Sequence, residues 1–260
     1  MKPKKQFGQN FLTSIPARIE IVEAGELTAM DNVLEIGPGK GFLTQALLES
    51  GAHVTALEKD KDLIPLLTET FGNRKNFELI LGDALTYDPP APGYKLIANI
   101  PYYITGAILE RYLSHTNQPE MMVVLVQKEV AERVCARDGK ESILSLSVKA
   151  YGEPKLVYRV SRGSFHPIPN VDSAVLQIKN ISRERFDNQY HEQLFFKAVK
   201  AGFAHKRKML LSNLQTPFPE RALIPVFEKV GIPTKARAED LSIDTWILLA
   251  RELSHTVGKE

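Results

Sequence analysis

The stretch Leu34-Glu35-Ile36-Gly37-Pro38-Gly39-Lys40-Gly41 decides how the first half of this 260-residue chain folds. The apolar run that leads into it, residues 32–36, is typical of a buried strand. The glycines permit a sharp turn that a ligand can approach without meeting a Cβ atom, and residues 42–50 then have a helical pattern. Strand, glycine turn and helix in this order predict one unit of an α/β sheet, with the turn at its ligand-binding edge.

The same alternation of short β-rich runs and helical patterns continues through the first half of the chain. Strands are predicted at residues 32–36, 53–57, 77–81, 95–98 and 121–126. Two later strands, 156–161 and 174–178, are joined by a proline-containing turn, which predicts that antiparallel strands close the sheet. The pattern as a whole predicts an α/β fold, a Rossmann-like sheet with helices on both faces.

The pattern changes after Asn180, where the remaining segments are helical and interrupted by prolines. We therefore predict an α/β domain at residues 1–182 and a small C-terminal helical domain at residues 183–260. One helix of the second domain is predicted at residues 207–214. The first helix of the chain is predicted at residues 15–30, with the candidate inward positions Ile19, Val22, Ala24 and Leu27.

Basic residues are unevenly distributed, although the net charge is only +2, from 33 lysines and arginines and 31 aspartates and glutamates. Residues 193–219 contain no acid, and their basic side chains are Lys197, Lys200, His205, Lys206, Arg207 and Lys208. A second acid-free run, residues 154–171, has Lys155, Arg159 and Arg162, and the N-terminus adds Lys2, Lys4 and Lys5. One such run is compatible with a solvated basic surface, but three in a nearly neutral chain favour a one-sided surface for nucleic acid.

Composition disfavours several classes of protein. The single cysteine, Cys135, excludes a disulfide framework and favours a reducing compartment, and we expect it to be a packed residue rather than a nucleophile. The basic N-terminus lacks the apolar core of a signal peptide, and no stretch approaches the roughly 18 apolar residues of a spanning helix. We therefore expect a cytoplasmic protein without a membrane partner. No cluster of His, Cys and carboxylates has metal-ligand spacing, so we expect no metal.

Two carboxylates follow the glycine turn, at the ends of the next two predicted strands. Glu58 ends the second strand, where it could accept both hydroxyls of a ribose, and Asp83 ends the third, where it could accept from an adenine amine. The turn reads G-x-G-x-G, one residue shorter than the dinucleotide fingerprint, and lacks the Lys-Ser/Thr ending of an NTPase loop. Either acid alone would suit a solvated turn. The three features together favour a nucleoside cofactor.

The segment Asn99-Ile100-Pro101-Tyr102 follows the fourth predicted strand and suggests a specific chemistry. An adenine amine is a poor nucleophile because its lone pair is delocalised into the ring. The Asn99 side chain could accept one of its hydrogens, and the Ile100 carbonyl, aligned by Pro101, could accept the other. Tyr102 offers a flat face on which the base could stack. A strand-ending turn with a cap and a helix stop is the structural alternative, but it does not explain Tyr102.

These motifs resemble those of the ribosomal RNA adenine N6-dimethyltransferases, most closely the KsgA-type enzymes of the small subunit, over nearly the whole chain. The matching segments are residues 7–12, 34–44, 58, 82–84, 99–102, 165–174, 205–210 and 239–242. The resemblance implies a class I methyltransferase domain at residues 1–182, with S-adenosylmethionine as co-substrate. It also implies that the helical domain at residues 183–260 binds RNA.

The resemblance further assigns roles to individual residues. Those that bind the cofactor would be Gln9, Asn10, Leu12, Gly37, Gly39, Glu58, Lys59, Asp83, Ala84 and Asn99. Those that position the target adenine would be Asn99, Ile100, Pro101, Tyr102 and Phe165, the last two as a sandwich around the flipped base. Those that bind RNA would be Lys206, Arg207 and Lys208.

The implied reaction dimethylates the N6 amines of two adjacent adenines in a loop near the 3′ end of small-subunit (16S-type) RNA, during subunit maturation. Displacement at a sulfonium methyl needs in-line positioning and exclusion of water rather than a strong base, so we expect no catalytic histidine. The partners would be the small ribosomal subunit and its RNA, and the enzyme would be a monomer. Residues 138–145 depart from the family by lacking its frequent Lys-x-Tyr-Gly, and we assign them no role.

Three alternatives stay open at this point. An Erm-type enzyme of the large subunit shares the catalytic motifs, although residues 205–214 and 239–253 favour the small-subunit type. An assembly factor could hold immature subunits without catalysis, although binding alone has little need of Glu58 and residues 99–102. A nicotinamide oxidoreductase is disfavoured by the spacing of the glycines.

Overall fold

The computed structural model describes residue 4 and residues 8–89, 92–219 and 222–255. The chain divides into two compact units, residues 1–132 with 152–181, and residues 133–151 with 182–260. The predicted division at residue 182 lies next to the second boundary between these units. In the middle of the chain the structure differs from the prediction, because residues 133–151 belong to the helical unit and not to the α/β domain.

Nine strands occur in the described part of the chain, all of them in the first unit. They are β1 (Phe11–Leu12), β2 (Asn32–Ile36), β3 (His53–Glu58), β4 (Phe77–Leu81), β5 (Tyr94–Asn99), β6 (Met121–Gln127), β7 (Glu153–Val160), β8 (Phe165–His166) and β9 (Ser173–Lys179). Seven form one sheet in the order β4-β3-β2-β5-β6-β9-β7, and β1 pairs with β8 separately. The first five strands of the sheet are parallel, and β9 is antiparallel to β6 and β7. The predicted α/β class and its antiparallel closure are therefore confirmed.

The parallel register brings four strand ends to one edge of the sheet. Ile36, the last residue of β2, is paired with Leu57 of β3 on one side and with Ala98 of β5 on the other. Glu58 is in turn paired with Leu81 at the end of β4. The glycine turn, Glu58, the turn after β4 and the segment after β5 consequently leave the sheet side by side, although they are far apart in sequence.

The helices of the first unit are α1 (Ile15–Ala24), α2 (Phe42–Glu49), α3 (Ile64–Phe71) and α4 (Thr105–Ser114), and α5 (Lys128–Val134) crosses the division. The side chain of Ser14 caps α1 by accepting from the N–H of Ala17. The helix ends at Ala24 rather than at residue 30, and the positive φ of Glu26 takes the chain out of helical conformation. Of the predicted inward positions Ala24 is buried, whereas Ile19 is 49% exposed and Ile21 is buried in its place.

The second unit contains α6 (Ile143–Lys149), α7 (Gln189–Gly202), α8 (Leu210–Gln215), α9 (Leu223–Val230) and α10 (Ile243–His255). Residues 133–151 belong to it because of their packing. The ring of Tyr151 stacks on Phe196 with centroids 5.8 Å apart, and the N–H of Glu141 donates to the carbonyl of Glu239 at 2.9 Å. Aromatic contacts of this kind stabilise a fold by more than the apolar area they bury would suggest. The packing of residues 133–151, rather than their position in the chain, therefore places them in the second unit.

A basic turn, residues 206–208, lies between α7 and α8 in the second unit. The helix predicted at residues 207–214 begins only at Leu210, so the three cationic residues lie before it rather than in it. All three are exposed. The buried side chain of Asn213 holds this connection by donating from Nδ2 to the carbonyl of Gly202 at 2.5 Å. The three cations are therefore presented on a connection that the core of the unit holds in place.

Two features are absent from the described residues, a membrane-spanning helix and a cluster of metal-binding side chains. Within them, no helix has both the length and the apolar composition required to cross a bilayer. The same residues contain no group of three or more His, Cys, Asp or Glu side chains arranged to hold a metal ion. Cys135 is reduced and half-buried.

Candidate active site

A cavity of about 620 Å³ lies at the edge of the sheet where the parallel strands end. It falls within the size range of small-ligand sites, roughly 300–1,000 Å³. Of the residues predicted for the cofactor and the target base, the structure brings most to its lining: Gln9, Asn10, Leu12, Gly37, Gly39, Glu58, Lys59, Asp83, Ala84, Asn99, Ile100, Pro101 and Tyr102. Phe165 does not line it, and residues 206–208 belong to the other unit.

The glycine turn after β2 needs its glycines for two different reasons. Gly37, Gly39 and Gly41 all have positive φ angles, of 68°, 62° and 83°, a conformation that favours glycine. A Cβ atom on Gly41 would also lie 2.3 Å from the ring of Phe71, so this position has no room for a side chain. At Gly37 an added Cβ meets nothing within 4 Å, which means that this part of the turn faces open space in the cavity. A ligand can therefore approach the backbone directly.

Glu58 is held in one orientation by the backbone around it. Its two carboxylate oxygens accept from the N–H of Asp60 at 2.7 Å and from the N–H of Gly39 at 3.1 Å. The side chain is buried, and burial raises the pKa of the Glu58 carboxyl above its ordinary value despite these hydrogen bonds. Each carboxylate oxygen can accept a second hydrogen bond, so Glu58 can still receive two ligand hydroxyls.

Glu35, on β2, is a carboxyl group that the sequence reasoning left without a role. It is 1% exposed and lines the cavity, and its Oε2 is buried without a hydrogen-bond partner among the described residues. Burial, together with the nearby charge of Glu58, raises the pKa of the Glu35 carboxyl to about 8. An unpartnered acid in a cavity wall is suited to a cationic ligand, whose charge would favour its ionised form.

The raised pKa of Glu35 predicts a pH-dependent stability. Between its ordinary value of 4.5 and about 8, Glu35 is ionised in the unfolded chain and protonated in the folded one. The unfolded chain then binds fewer protons, so the free energy of unfolding falls as the pH rises through this window. We expect Glu35→Gln to remove part of that fall. Urea unfolding of both proteins at about pH 5 and about pH 8 measures it, and parallel pH profiles would contradict the assignment.

Lys59 and Asp83 form an ion pair at the rim of the cavity. The Nζ of Lys59 is 2.7 Å from Oδ2 of Asp83, and Oδ1 of Asp83 accepts from the N–H of Leu85 at 3.0 Å. The hydrogen bond from Lys59 and that from Leu85 hold the pKa of the Asp83 carboxyl below its usual range, so it is an ionised acceptor. Next to it, the carbonyl of Ala84 is occupied by the hydroxyl of Tyr112 at 3.1 Å.

Asn99, the last residue of β5, has an amide whose orientation can be deduced. Its Nδ2 is 3.0 Å from the carbonyl oxygen of Asn10. A carbonyl can only accept, so the atom facing it must be the amide nitrogen. The arrangement leaves Oδ1 of Asn99 as the acceptor for a ligand, which is the role that the chemistry of an adenine amine requires.

Tyr102 is fixed at its hydroxyl end. The hydroxyl is hydrogen-bonded to Oγ of Ser173, the first residue of β9, at 2.6 Å, and burial raises the pKa of the Tyr102 phenol. Pro101 has a φ of −56° and precedes a 3-10 turn over Tyr102–Ile104 that leads into α4. The tyrosine that follows, Tyr103, is 64% exposed and also lines the cavity, so two successive aromatic rings lie at the site.

Phe165, predicted to sandwich the base together with Tyr102, does not line the cavity. Its ring is 2% exposed and packs in the hydrophobic core, because Phe165 is paired with the buried Leu12 in the β1–β8 ladder. Side chains alternate along a strand, so the next residue, His166, is exposed and lines the cavity instead. Of the two predicted stacking residues, Tyr102 therefore lines the cavity and Phe165 does not.

No local sequence pattern predicts how Lys4 and Gln9 are attached to the site. Lys4, predicted to be part of a basic surface, pairs internally through Nζ with Asp60 at 2.5 Å and with Asp62 at 2.6 Å. Gln9 donates from Nε2 to the other oxygen of Asp60 at 2.9 Å. The one sequence feature that could have indicated this attachment is Asp60, a second carboxylate two residues after Glu58. Lys2 and Lys5 lie outside the described residues, and Arg159, from the second basic run, pairs with Glu132 at 3.2 Å.

Solved structures share this architecture. The crystal structure of the 23S rRNA methyltransferase ErmE superposes with a TM-score of 0.79 at 27% sequence identity, covering 94% of this chain and 100% of that one. A dimethyladenosine transferase from Plasmodium falciparum superposes with a TM-score of 0.83 at 24% identity, covering 95% of this chain and 98% of that one, and supports the fold. The sheet, its flanking helices and the C-terminal helices are thus those of class I rRNA methyltransferases.

Sequence comparison gives the family. The ribosomal RNA small subunit methyltransferase A of Fusobacterium nucleatum subsp. nucleatum is 40% identical over 256 residues, which cover 96% of this chain and 97% of that protein. The family model for ribosomal RNA adenine dimethylases matches residues 1–255, a range that includes every residue of the cavity described above. This chain therefore belongs to the ribosomal RNA adenine dimethylase family.

Proposed function

We propose that the protein transfers methyl groups from S-adenosylmethionine to the N6 amines of two adjacent adenines near the 3′ end of small-subunit ribosomal RNA, giving dimethyladenosine. The observation that carries the proposal is the orientation of Asn99. Its Nδ2 is engaged by the carbonyl of Asn10, which leaves Oδ1 to accept a hydrogen from the target amine. Asn99 and Glu58 line the same cavity, which supports a single site that would accept from the base through Asn99 and from a ribose through Glu58.

The cofactor fits the residues of the cavity. Glu58 would hold its ribose, Asp83 its adenine and the turn at Gly37 its methionine portion, and the unpartnered oxygen of Glu35 suits its cationic end. When bound, S-adenosylmethionine supplies a methyl group on a sulfonium that leaves as a neutral thioether. The protein contributes orientation of the amine and exclusion of water, which together can lower a barrier by several kcal/mol (roughly 7–11 at the limit).

The RNA would be bound by phosphate contacts in addition to the flipped base. Flipping costs a few kcal/mol, and stacking on Tyr102 would return about 1–3 kcal/mol, so the base alone gives little net affinity. The exposed turn at residues 206–208 offers three adjacent cations for phosphates. The preference for the small subunit is supported by relatives about 40% identical to this chain, compared with 27% for the enzyme of 23S RNA. We propose a cytoplasmic, monomeric enzyme that acts during maturation of that subunit.

The basic turn at residues 206–208 leads to a prediction about RNA affinity and its dependence on salt. Replacing Lys206, Arg207 and Lys208 together by Ala should weaken binding to small-subunit RNA. The slope of the logarithm of the binding constant against the logarithm of the salt concentration should also become shallower, by the amount that corresponds to about three lost phosphate contacts. Filter binding or fluorescence anisotropy over a salt series measures both quantities. Arg251, which pairs with Asp187 at 2.7 Å in the same unit, is a matched control for loss of a cation. An unchanged salt slope in the triple variant would move the RNA-binding surface elsewhere.

The function itself is tested by transfer of labelled methyl groups from S-adenosylmethionine to unmethylated small subunits, followed by mass spectrometry of the nucleosides. N6,N6-dimethyladenosine near the 3′ end of the small-subunit RNA is the expected result. Stable binding of subunits without transfer would instead support a non-catalytic assembly factor. Transfer to large-subunit RNA alone would make the protein an enzyme of the Erm type.

A further inference from the structure

Residues 8–12, the N-terminal segment, contact the candidate active site at every position. Gly8 lies against Tyr103, where an added Cβ would be 3.1 Å from the ring. Gln9 binds Asp60, and the carbonyl of Asn10 binds Asn99. Phe11 lies over Gly39 and under the Lys40 ammonium, which is 4.9 Å from the centroid of its ring. The segment therefore crosses the cavity from the cofactor-binding loop to the base-binding residues.

One carboxylate anchors this segment at the cofactor end. Asp60 is 1% exposed, and its two oxygens receive Lys4 Nζ at 2.5 Å and Gln9 Nε2 at 2.9 Å. The N–H of Lys4 also donates to Oε1 of Gln9 at 2.8 Å, which holds the side-chain amide in one orientation. The buried acid is therefore satisfied largely by Lys4 and Gln9, and an amide in its place would keep one acceptor oxygen but turn a second donor toward Lys4 or Gln9.

Asp60 is connected to the cofactor-binding acid as well. Its own N–H donates to Oε1 of Glu58 at 2.7 Å, so the residue that anchors the N-terminal segment also orients the carboxylate expected to hold the ribose. On the base side, the carbonyl that orients Asn99 belongs to Asn10, the residue directly after the anchored Gln9. A displacement of Gln9 would thus move the acceptor that fixes the Asn99 amide.

We infer that Asp60 is a positioning residue for methyl transfer, which anchors the N-terminal segment so that Asn10 and Gly8 keep Asn99 and Tyr103 in the geometry that receives the target base. This inference rests on the proposed function. Asp60 touches neither the reacting amine nor the methyl group in this account. It acts through Gln9 on the base side and through its backbone N–H on Glu58.

The test is a double-mutant cycle between Asp60→Asn and Gln9→Ala. We expect Asp60→Asn to lower kcat by on the order of tenfold and to raise KM for S-adenosylmethionine by a similar factor, because the displaced segment includes Gln9 and Asn10, which line the cavity. Gln9→Ala should produce a smaller change of the same kind. If Asp60 acts through Gln9, the double variant will be little worse than Asp60→Asn alone. Fully additive effects on kcat would overturn the inference.

Asp31→Asn is the matched control for a purely structural effect. Asp31 is also an acid that pairs with a lysine, Lys95 at 3.0 Å, but neither Lys95 nor its other partner, Thr28, belongs to the N-terminal segment. We expect this control to lose stability without a change in kcat or KM. If Asp60→Asn behaves in the same way, Asp60 is a structural residue and the inference is wrong.

Hydrogen–deuterium exchange gives a readout that does not depend on activity. The amides of residues 8–12 should exchange faster in Asp60→Asn than in the unmodified protein, and Asp31→Asn should leave them unchanged. If Asp60→Asn exchanges faster but the unmodified protein methylates no ribosomal RNA, the proposed function is wrong and the anchoring role of Asp60 stands. Unchanged exchange in an active Asp60→Asn enzyme would refute the anchor and retain the function.

Discussion

Asn99→Ala is expected to reduce methyl transfer by on the order of a thousandfold while cofactor affinity changes by only a few-fold. The side chain supplies the oxygen that would accept from the target amine, and its Nδ2 is held by the Asn10 carbonyl at 3.0 Å. Without that acceptor, the lone pair of the amine stays delocalised into the ring and is not directed at the methyl group. Single-turnover transfer to small-subunit RNA measures the loss, and calorimetric titration with S-adenosylhomocysteine measures cofactor affinity.

Asn99→Asp separates the two functions of the amide. It keeps an acceptor oxygen but places a carboxylate against the carbonyl of Asn10, where the Nδ2 donor is needed. We expect activity between that of Asn99→Ala and the parent, together with faster amide exchange in residues 8–12. A loss of cofactor affinity in Asn99→Ala as large as the loss of transfer would rule out the assignment of Asn99 to the base.

Glu58→Gln is expected to weaken binding of S-adenosylmethionine by on the order of a hundredfold. Hydrogen bonds to a charged acceptor contribute about 1.5–3 kcal/mol each, and about 1.4 kcal/mol corresponds to a factor of ten in affinity. The amide that replaces the carboxylate would also present a donor to the N–H of Gly39 or of Asp60, both of which now donate to Glu58. Calorimetric titration measures the change.

Glu78→Gln is the matched control, since Glu78 is exposed on the adjacent strand β4 and does not line the cavity. Its affinity for the cofactor should be that of the parent. The pH dependence gives a second check, because burial raises the pKa of the Glu58 carboxyl. As the pH falls through this raised pKa, the parent should lose affinity as Glu58 becomes protonated, and Glu58→Gln should show a smaller change. Equal affinities of Glu58→Gln and Glu78→Gln would contradict the ribose-binding role.

The strand ends of the site were predictable from sequence because they follow local patterns. Apolar runs bounded by glycine gave β2 and its turn, and Glu58, Asp83 and Asn99 follow their strands directly. Parallel strands of one sheet end at one edge, so knowledge of the sheet alone is sufficient to group these residues. Most of the residues predicted for the site therefore line the cavity, although the lining also includes residues that no prediction named, such as Glu35 and Tyr103.

The choice of which face of α1 is buried is an example of a feature that local sequence patterns do not determine. Apolar residues lie on more than one side of this helix, so the periodicity does not select the buried face, and the predicted inward Ile19 is exposed while Ile21 is buried. Phe165 illustrates the same point in a strand. Alternation says that Phe165 and His166 face opposite ways, but only the pairing of Leu12 with Phe165 decides which of them faces the core.

Local sequence patterns are sufficient to predict the α/β class, the glycine turn, the order of the acids and the Asn99–Tyr102 motif, since each depends on neighbouring residues. Three other features follow from packing: residues 133–151 join the helical unit, Glu35 is buried beside the cavity, and Asp60 binds Gln9 of the N-terminal segment. These features depend on contacts between residues distant in sequence, 51 positions for Gln9 with Asp60 and 89 for Asn10 with Asn99. Periodicity and turn chemistry act over a few residues, whereas burial and hydrogen-bond pairing are decided when the whole core packs.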